Sequence, residues 1–316
     1  MTISIVLATY NGEKFIRKQM DSILSQSFKD FEVIVSDDKS TDSTYSIIEE
    51  YSKKDHRVKI FQNKTNLGFL KNFEHAMGLC SGDYIACCDQ DDIWEQNHLE
   101  ILLNSIGTND CIGANSLLVD EQLKSLNKTH SQLLNVYSIP QTNQELFRHE
   151  CYFNLIQGTA SLFKRDLLKQ VLPFPANIKF HDHWIALNAC IRNGCKYIPT
   201  IILKYRCHSH NVTGFQKFSF SNAFQTIKKT SKYRLEMYNS QIAMLQAISS
   251  LKMDSSKKII ISDAISFLSN LRDHTHTFTA LLYFIRNYSN ITLCPRKKIK
   301  LFLYRTINIA LFGIML

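Results

Sequence analysis

A mixed, mostly parallel α/β sheet flanked by helices, followed by a helical C-terminal extension, is the fold class that three features of this sequence predict. Short apolar runs alternate with stretches of helical period through residues 1–100, the pattern of consecutive βαβ units with right-handed crossovers. Three of the apolar runs end in polar clusters, Thr9-Tyr10-Asn11, Ser36-Asp37-Asp38 and Asp89-Gln90-Asp91-Asp92, which is where open parallel sheets bind ligands. Beyond Gly214 the strand signal stops and only helical patterns follow.

Taken in order, Ser4–Ala8 reads as a buried strand, and Glu13–Ser25 as a helix with Phe15, Ile16, Met20, Ile23 and Leu24 on one face. Phe31–Ser36 is the second strand, Thr41–Tyr51 a capped helix, Val58–Gln62 a third strand and Phe69–Leu79 a helix. Asp83–Cys88 is a fourth strand running into the acidic tetrad. Cys111–Val119 has strand character, residues 120–150 form a polar connection with some helix, and Gln157–Phe163 is a strand before a helix at Lys164–Val171. A proline-containing loop then precedes His181-Asp182-His183-Trp184, which opens a helix to Asn193, and Tyr197–Tyr205 is β-rich. The domain division expected from this pattern is 1–214 for the catalytic α/β domain and 215–316 for the helical extension.

The net charge of +9 is unevenly placed. Residues 1–214 carry 22 Lys and Arg against 24 Asp and Glu, whereas residues 215–316 carry 15 against 4. The basicity therefore belongs to the extension, which argues against nucleic acid as a ligand of the α/β part and for an anionic lipid or glycan surface near the extension. Nine cysteines with no CxxC pair fit reduced thiols. The chain opens directly on a strand without a leader pattern, so the expectation is a cytoplasmic protein at the inner face of the cell membrane. Within 296–316, Arg296, Lys297, Lys298, Lys300 and Arg305 would face headgroups while Leu301, Phe302, Leu303, Ile309, Leu311 and Phe312 enter the acyl boundary. The apolar run is too short to span a bilayer. A helix docked on the protein is the plainer alternative.

Asp89, Asp91 and Asp92 repel one another unless a cation neutralises them, and a hard divalent ion such as Mg²⁺ or Mn²⁺ suits three closely spaced carboxylates. Mg²⁺ shares few protein carboxylates with phosphate oxygens and water, so a bound diphosphate is implied. A calcium loop fails, because Ile93 and Trp94 stand where its fifth ligand and glycine turn belong. A metal-dependent phosphatase or phosphotransferase is an alternative, although its nucleophile would usually follow the first strand, which here ends in Ala8-Thr9-Tyr10-Asn11.

Four ordered motifs carry a resemblance. Ser4-Ile5-Val6-Leu7-Ala8-Thr9-Tyr10-Asn11-Gly12, Phe31 through Asp42 with Ser36-Asp37-Asp38, Asn66-Leu67-Gly68, and Gly82-Asp83-Tyr84-Ile85 leading to Asp89-Gln90-Asp91-Asp92 together resemble glycosyltransferase family 2, whose fold is GT-A and whose members invert the anomeric centre. The likeness covers most of residues 1–214, and its later motifs look closest to the rhamnosyltransferase-like branch, which acts in bacterial polysaccharide synthesis such as capsule or O-antigen. No Gly-x-Gly-x-x-Gly follows the first strand, which disfavours a dinucleotide oxidoreductase.

The resemblance implies an inverting, metal-dependent hexosyltransferase using a UDP- or dTDP-sugar. Tyr10 would lie against the base and Asp38 would accept from its ring N–H, with Thr9, Glu13, Gly68 and Lys71 nearby; a plain surface lysine is the alternative for Lys71. Asp89 and Gln90 would face the ribose, and Asp91 with His208 would hold the metal. Asp182 would be the general base, with a helix cap as its alternative, and Trp184 would offer the acceptor a stacking face. The segment from Tyr205 to Gly214 matches a Tyr-Arg-x-His-x-x-Asn pattern, in which Arg206 would pair with phosphate. The implied acceptor is a glycan, lipid-linked and met by peripheral membrane association. A non-catalytic GT-A-like subunit of a glycan synthesis complex is the alternative from a different class.

Overall fold

The computed structural model describes residues 1–208, 223–273 and 277–294, together with Phe302, Thr306 and Ile309. Its strands are β1 Ile3–Thr9, β2 Phe31–Asp37, β3 Val58–Gln62, β4 Tyr84–Cys88, β5 Ile93–Trp94, β6 Cys111–Val119, β7 Ser125–Thr129, β8 Ser161–Lys164 and β9 Cys195–Arg206. The helices are α1 Ile16–Leu24, α2 Thr44–Lys54, α3 Phe69–Gly78, α4 His98–Ile106, α5 His130–Leu133, α6 Asn143–Glu150, α7 Leu168–Val171, α8 His181–Ile191, α9 Ala223–Ser249, α10 Ser255–Asp273 and α11 Thr277–Thr292.

All nine strands form one sheet of order β3-β2-β1-β4-β8-β6-β9-β5, with β7 paired to β6. Its first half is parallel, β1 lying between β2 and β4. Strands covered on both faces need apolar side chains on both, and every residue of β2 is buried, as is β1 apart from Ala8. α1 packs Ile16, Met20 and Ile23 inward, as its spacing predicts. The second half departs from the simple series, because β8 enters antiparallel between β4 and β6, while β9 runs parallel to β6 and takes β5 on its outer edge.

Four elements lie where the sequence suggests only a connection or nothing. β5 and α4 follow the tetrad directly, and β7 leads into α5 through a capping box in which Thr129 accepts from the Gln132 N–H and Gln132 accepts from the Thr129 N–H.

The chain divides into two compact units, one comprising residues 1–134, 155–174 and 180–208, the other 135–154, 175–179 and 209–316. Segments 135–154 and 175–179, drawn in the sequence with the α/β domain, thus cluster with the C-terminal helices. In this second unit the Tyr152 and Tyr283 hydroxyls hydrogen-bond at 2.8 Å, and Phe267, Phe284 and Tyr288 form an aromatic core. Phe302 meets Tyr288 edge to face at 4.9 Å, and Ile309 is fully buried. Phe302, expected in the acyl boundary, thus packs on a tyrosine ring of α11, and Ile309, also expected there, is buried. Apart from Thr306, the rest of the segment 296–316 lies outside the described residues, as does the motif tail at 209–214. No helix among the described residues is long and apolar enough to cross a membrane.

Candidate active site

The parallel register aligns Thr9 with Asp37 and Leu7 with Cys88, so the ends of β1, β2 and β4 open at one edge of the sheet. Tyr10 lies beyond the end of β1 and is 46 % exposed, an available aromatic face. Gln90 clamps its main chain, the amide oxygen accepting from Tyr10 N–H and the amide nitrogen donating to Tyr10 O, both at 3.0 Å. This side chain, expected on the ribose side, therefore braces β1 against β4. Gly12 makes room for it: a Cβ there would lie 2.3 Å from Gln90 Oε1.

Thr9 is buried and its hydroxyl donates to Asp37 Oδ1 at 3.1 Å, so it faces the sheet interior and not a nucleoside. Asp37 also takes the Ser40 N–H and hydroxyl and the Gln62 amide, which closes the loop after β2. Glu13 accepts from Ser43 N–H at 2.9 Å at the entry to α2.

Asp38 is the residue expected to accept from the ring N–H of the base. It is only 2 % exposed, with Oδ1 accepting from Leu67 N–H (2.7 Å) and the Asn63 amide (2.9 Å) and Oδ2 from Gly68 N–H (2.8 Å). Its carboxylate is committed inside the protein, shaping the Asn66–Gly68 turn, rather than presented to a base. Gly68 takes φ +82° there, a conformation that costs glycine little. Lys71 is exposed and pairs with Glu74 at 2.8 Å.

The tetrad and the distant Tyr205–His208 segment meet through the sheet. β9 lies between β6 and β5, with Val119 opposite Arg206 and Ile93 opposite Lys204, which carries the residues after β9 back over the turn that follows β4. His208 Nε2 lies 2.7 Å from Asp91 Oδ2. Asp92 is fully buried, and its Oδ1 accepts from Arg206 N–H at 3.0 Å. Arg206, expected on a phosphate, is 1 % exposed and donates instead to the carbonyls of Asp91 and Glu121, each at 2.6 Å. A guanidinium that fastens two main-chain loops is buried by them.

The electrostatics are those of crowded carboxylates. Burial first, then the charges of Asp91 and Asp182, push Asp89 up to about 8. Asp92 is held well above the usual carboxylate range by burial and by Asp91 and Asp89, against the opposing Arg206 N–H. These directions mark a site that favours added positive charge.

Asp182 belongs to this cluster, since its field reaches Asp89, Cys87 and His130. It is the second residue of α8, not its cap, and its Oδ2 accepts from Gly158 N–H at 2.9 Å while Oδ1 accepts from the following amide of His183 at 2.7 Å. Gly158 escaped the sequence reading, having no motif around it. A Cβ at Gly158 would lie 3.0 Å from His181 Nε2 and 3.4 Å from Asp182 Cβ, so a bare backbone suits that position. Trp184 turns the other way: it is 5 % exposed and its indole donates to Val171 O at 2.9 Å. With its ring in the core it offers no stacking face to an acceptor.

Asp91 and His208 provide two adjoining donors, and no group of three or more His, Cys, Asp or Glu among the described residues forms a closed cage. Two donors beside two charge-crowded carboxylates fit a divalent cation that completes its shell with phosphate oxygens and water.

The family model for glycosyl transferase family 2 matches residues 4–172. The chain belongs to this family. A glycosyltransferase of Haemophilus influenzae with no characterised activity is 26 % identical over 294 residues, 90 % of each chain. The family 2 chain is also similar in fold to Staphylococcus aureus TarS, with TM-score 0.64 and 20 % identity over 99 % of this chain and 89 % of that one; TarS was also crystallised with UDP-GlcNAc. The mannosyltransferase PcManGT of Pyrobaculum calidifontis, in complex with GDP-Man and Mn²⁺, matches at TM-score 0.59 and 15 % identity over 97 % and 80 % of the two chains. These likenesses identify the mixed sheet with its flanking and C-terminal helices as the GT-A arrangement of family 2 glycosyltransferases.

Proposed function

We propose that this family 2 glycosyltransferase is an inverting, metal-dependent hexosyltransferase that moves a sugar from a UDP- or dTDP-sugar to a hydroxyl of a glycan acceptor, lipid-linked and built for a surface polysaccharide. The observation that carries the reading is that two distant parts of the chain come to the tetrad: Asp182, whose charge acts on Asp89, and His208, which meets Asp91. One carboxylate serves the attacking side and a separate acidic group serves the leaving side, the division an inverting transfer needs.

In this reading Tyr10 stacks on the base, and Asp38 shapes the nucleoside end through Leu67 and Gly68, near Lys71. Asp89 faces the ribose, held in place by the Gln90 brace. Asp91 and His208 would hold a divalent cation, which would supply charge stabilisation for the departing diphosphate. Asp182 takes the proton of the acceptor hydroxyl as that oxygen bonds the anomeric carbon. The carbon–phosphate-oxygen bond breaks on the opposite face and its electron pair leaves with the nucleoside diphosphate. The Gly158 N–H aims the Asp182 carboxylate. The nucleotide-sugar complexes of TarS and PcManGT support the donor class, and PcManGT supports the metal. The basic extension, at 15 Lys and Arg against 4 Asp and Glu, supports attraction to the anionic inner face of a membrane.

A thermal-shift panel of UDP-, dTDP- and GDP-sugars with Mn²⁺ tests the donor. Stabilisation by a UDP- or dTDP-sugar is expected, lost in Asp91→Ala and retained in Asp182→Asn, while turnover is lost in both. Stabilisation by none of the panel would sink the donor assignment. No turnover by the parent chain, with nucleotide binding indifferent to both substitutions, would favour a non-catalytic subunit.

A further inference from the structure

Phe15 stands just before α1, where the Gly12 carbonyl accepts from the N–H groups of Phe15 and Ile16, both at 3.0 Å. The helical period assigns it to the core, yet it is only half-buried, and its ring neighbours are polar. The His208 imidazole stacks on it with centroids 4.9 Å apart and planes 27° from parallel. The Arg206 guanidinium lies 4.7 Å and the Lys14 ammonium 5.1 Å from its centroid. Both cations are tied to one residue, Lys14 to the Glu121 carboxylate at 2.7 Å and Arg206 to the Glu121 carbonyl at 2.6 Å. The segment before α1 and the end of β9 thus meet at a single aromatic ring, and Glu121, after β6, ties their two cations together.

We propose that Phe15 is a positioning residue for His208, holding its imidazole in the plane from which Nε2 meets Asp91 and a divalent cation shared with a nucleoside diphosphate. A hydrogen bond to one carboxylate oxygen sets the reach of an imidazole but leaves its plane free to turn. The stacked ring sets the plane, and its attachment to Lys14, Arg206 and Glu121 makes that setting independent of ligand. Metal-binding histidines generally depend on such an outer partner for their orientation. Here the partner is an aromatic face in place of a hydrogen-bond acceptor. This inference rests on the proposed metal role of Asp91 and His208.

The test is Mn²⁺ binding by the full chain in the presence of UDP, read from the loss of the free-ion electron paramagnetic resonance signal. An aromatic pair contributes enough that its removal weakens binding roughly three- to tenfold. Phe15→Leu, which keeps apolar volume but not the stack, is expected to show that loss. Phe15→Tyr, which keeps the ring, is expected to bind as the parent does, and UDP binding without metal is expected to be unchanged in both. Equal Mn²⁺ affinity in Phe15→Leu and the parent overturns the inference, even if the melting temperature falls, because a merely structural role moves stability alone. His208→Ala and Asp91→Ala separate the two levels. If they lose Mn²⁺ while Phe15→Leu does not, the metal site stands and the positioning role fails; if they bind Mn²⁺ normally, the metal reading fails and takes this inference with it.

Discussion

Replacing Asp38 by asparagine asks whether the residue holds a turn. Its oxygens take three internal donors, the N–H groups of Leu67 and Gly68 and the Asn63 amide, at 2.7 to 2.9 Å. An asparagine keeps one carbonyl oxygen. If that oxygen serves Leu67 and Asn63, its NH₂ group faces the Gly68 N–H; if it is flipped to serve Gly68, the NH₂ group faces two donors. At least one hydrogen bond is lost in either case and two donors are opposed, and the remaining bonds lose their charge assistance. A lost buried partner costs about 1–3 kcal/mol. The turn is partly solvated, Leu67 being 44 % exposed, so water relieves part of this and a net destabilisation of about 2 kcal/mol is expected. Urea unfolding measures the loss, and hydrogen exchange at the Leu67 and Gly68 amides localises it, since these should exchange faster by a larger factor than amides of β1. Unchanged stability with unchanged protection at Leu67 and Gly68 would refute the account and return Asp38 to a direct role on the base.

Asp182→Asn is expected to lower kcat by about two to four orders of magnitude, the usual weight of a general base, with donor KM nearly unchanged; a small kcat loss in steady-state assays would remove it from the mechanism. Gly12→Ala should displace Gln90, whose Oε1 would lie 2.3 Å from the new methyl carbon, and so cost the two bonds to the Tyr10 main chain, about 1–3 kcal/mol; parent-like stability in urea unfolding would show that Gln90 repacks freely. Glu32 is held down at about 2 although burial opposes it, because Lys59, Ser4 and Ser81 favour the carboxylate. A depressed carboxylate stabilises the fold above its unfolded value, near 4.5, and that stabilisation fades as pH falls towards about 2. With Lys59 52 % exposed and therefore screened, Glu32→Gln should cost about 1–2 kcal/mol at neutral pH, and urea unfolding should show the gap to the parent closing below about pH 4.5. A gap constant with pH would mean that another group dominates.

The legible part of the site was the part whose residues are neighbours in sequence. The tetrad after β4 announced a charge conflict by composition alone, and the polar clusters after β1 and β2 announced the ligand edge. The side-chain directions were not legible. Thr9 and Tyr10 are adjacent, yet Thr9 is the last residue of β1 and binds Asp37 inside, while Tyr10 lies just past the strand, where the chain bends, and is exposed. Trp184 sits in a helix of which all residues but Asp182 are buried, so no polar face existed from which to read its direction. The capping box at Thr129 and Gln132 was available as a short motif, but the polar run around it hid both β7 and α5.

What the sequence by itself determined was the parallel half of the sheet, because continuous apolar runs and helical periods report burial, and burial on both faces is what parallel strands require. Tertiary structure alone decided which distant residues meet. The antiparallel entry of β8 and the placing of β9 between β6 and β5 are choices of hydrogen-bonded neighbour, and a ladder of backbone bonds leaves no trace in residue type. Through that ladder His208 reaches Asp91, Arg206 is buried under the tetrad, and Phe15 closes on both.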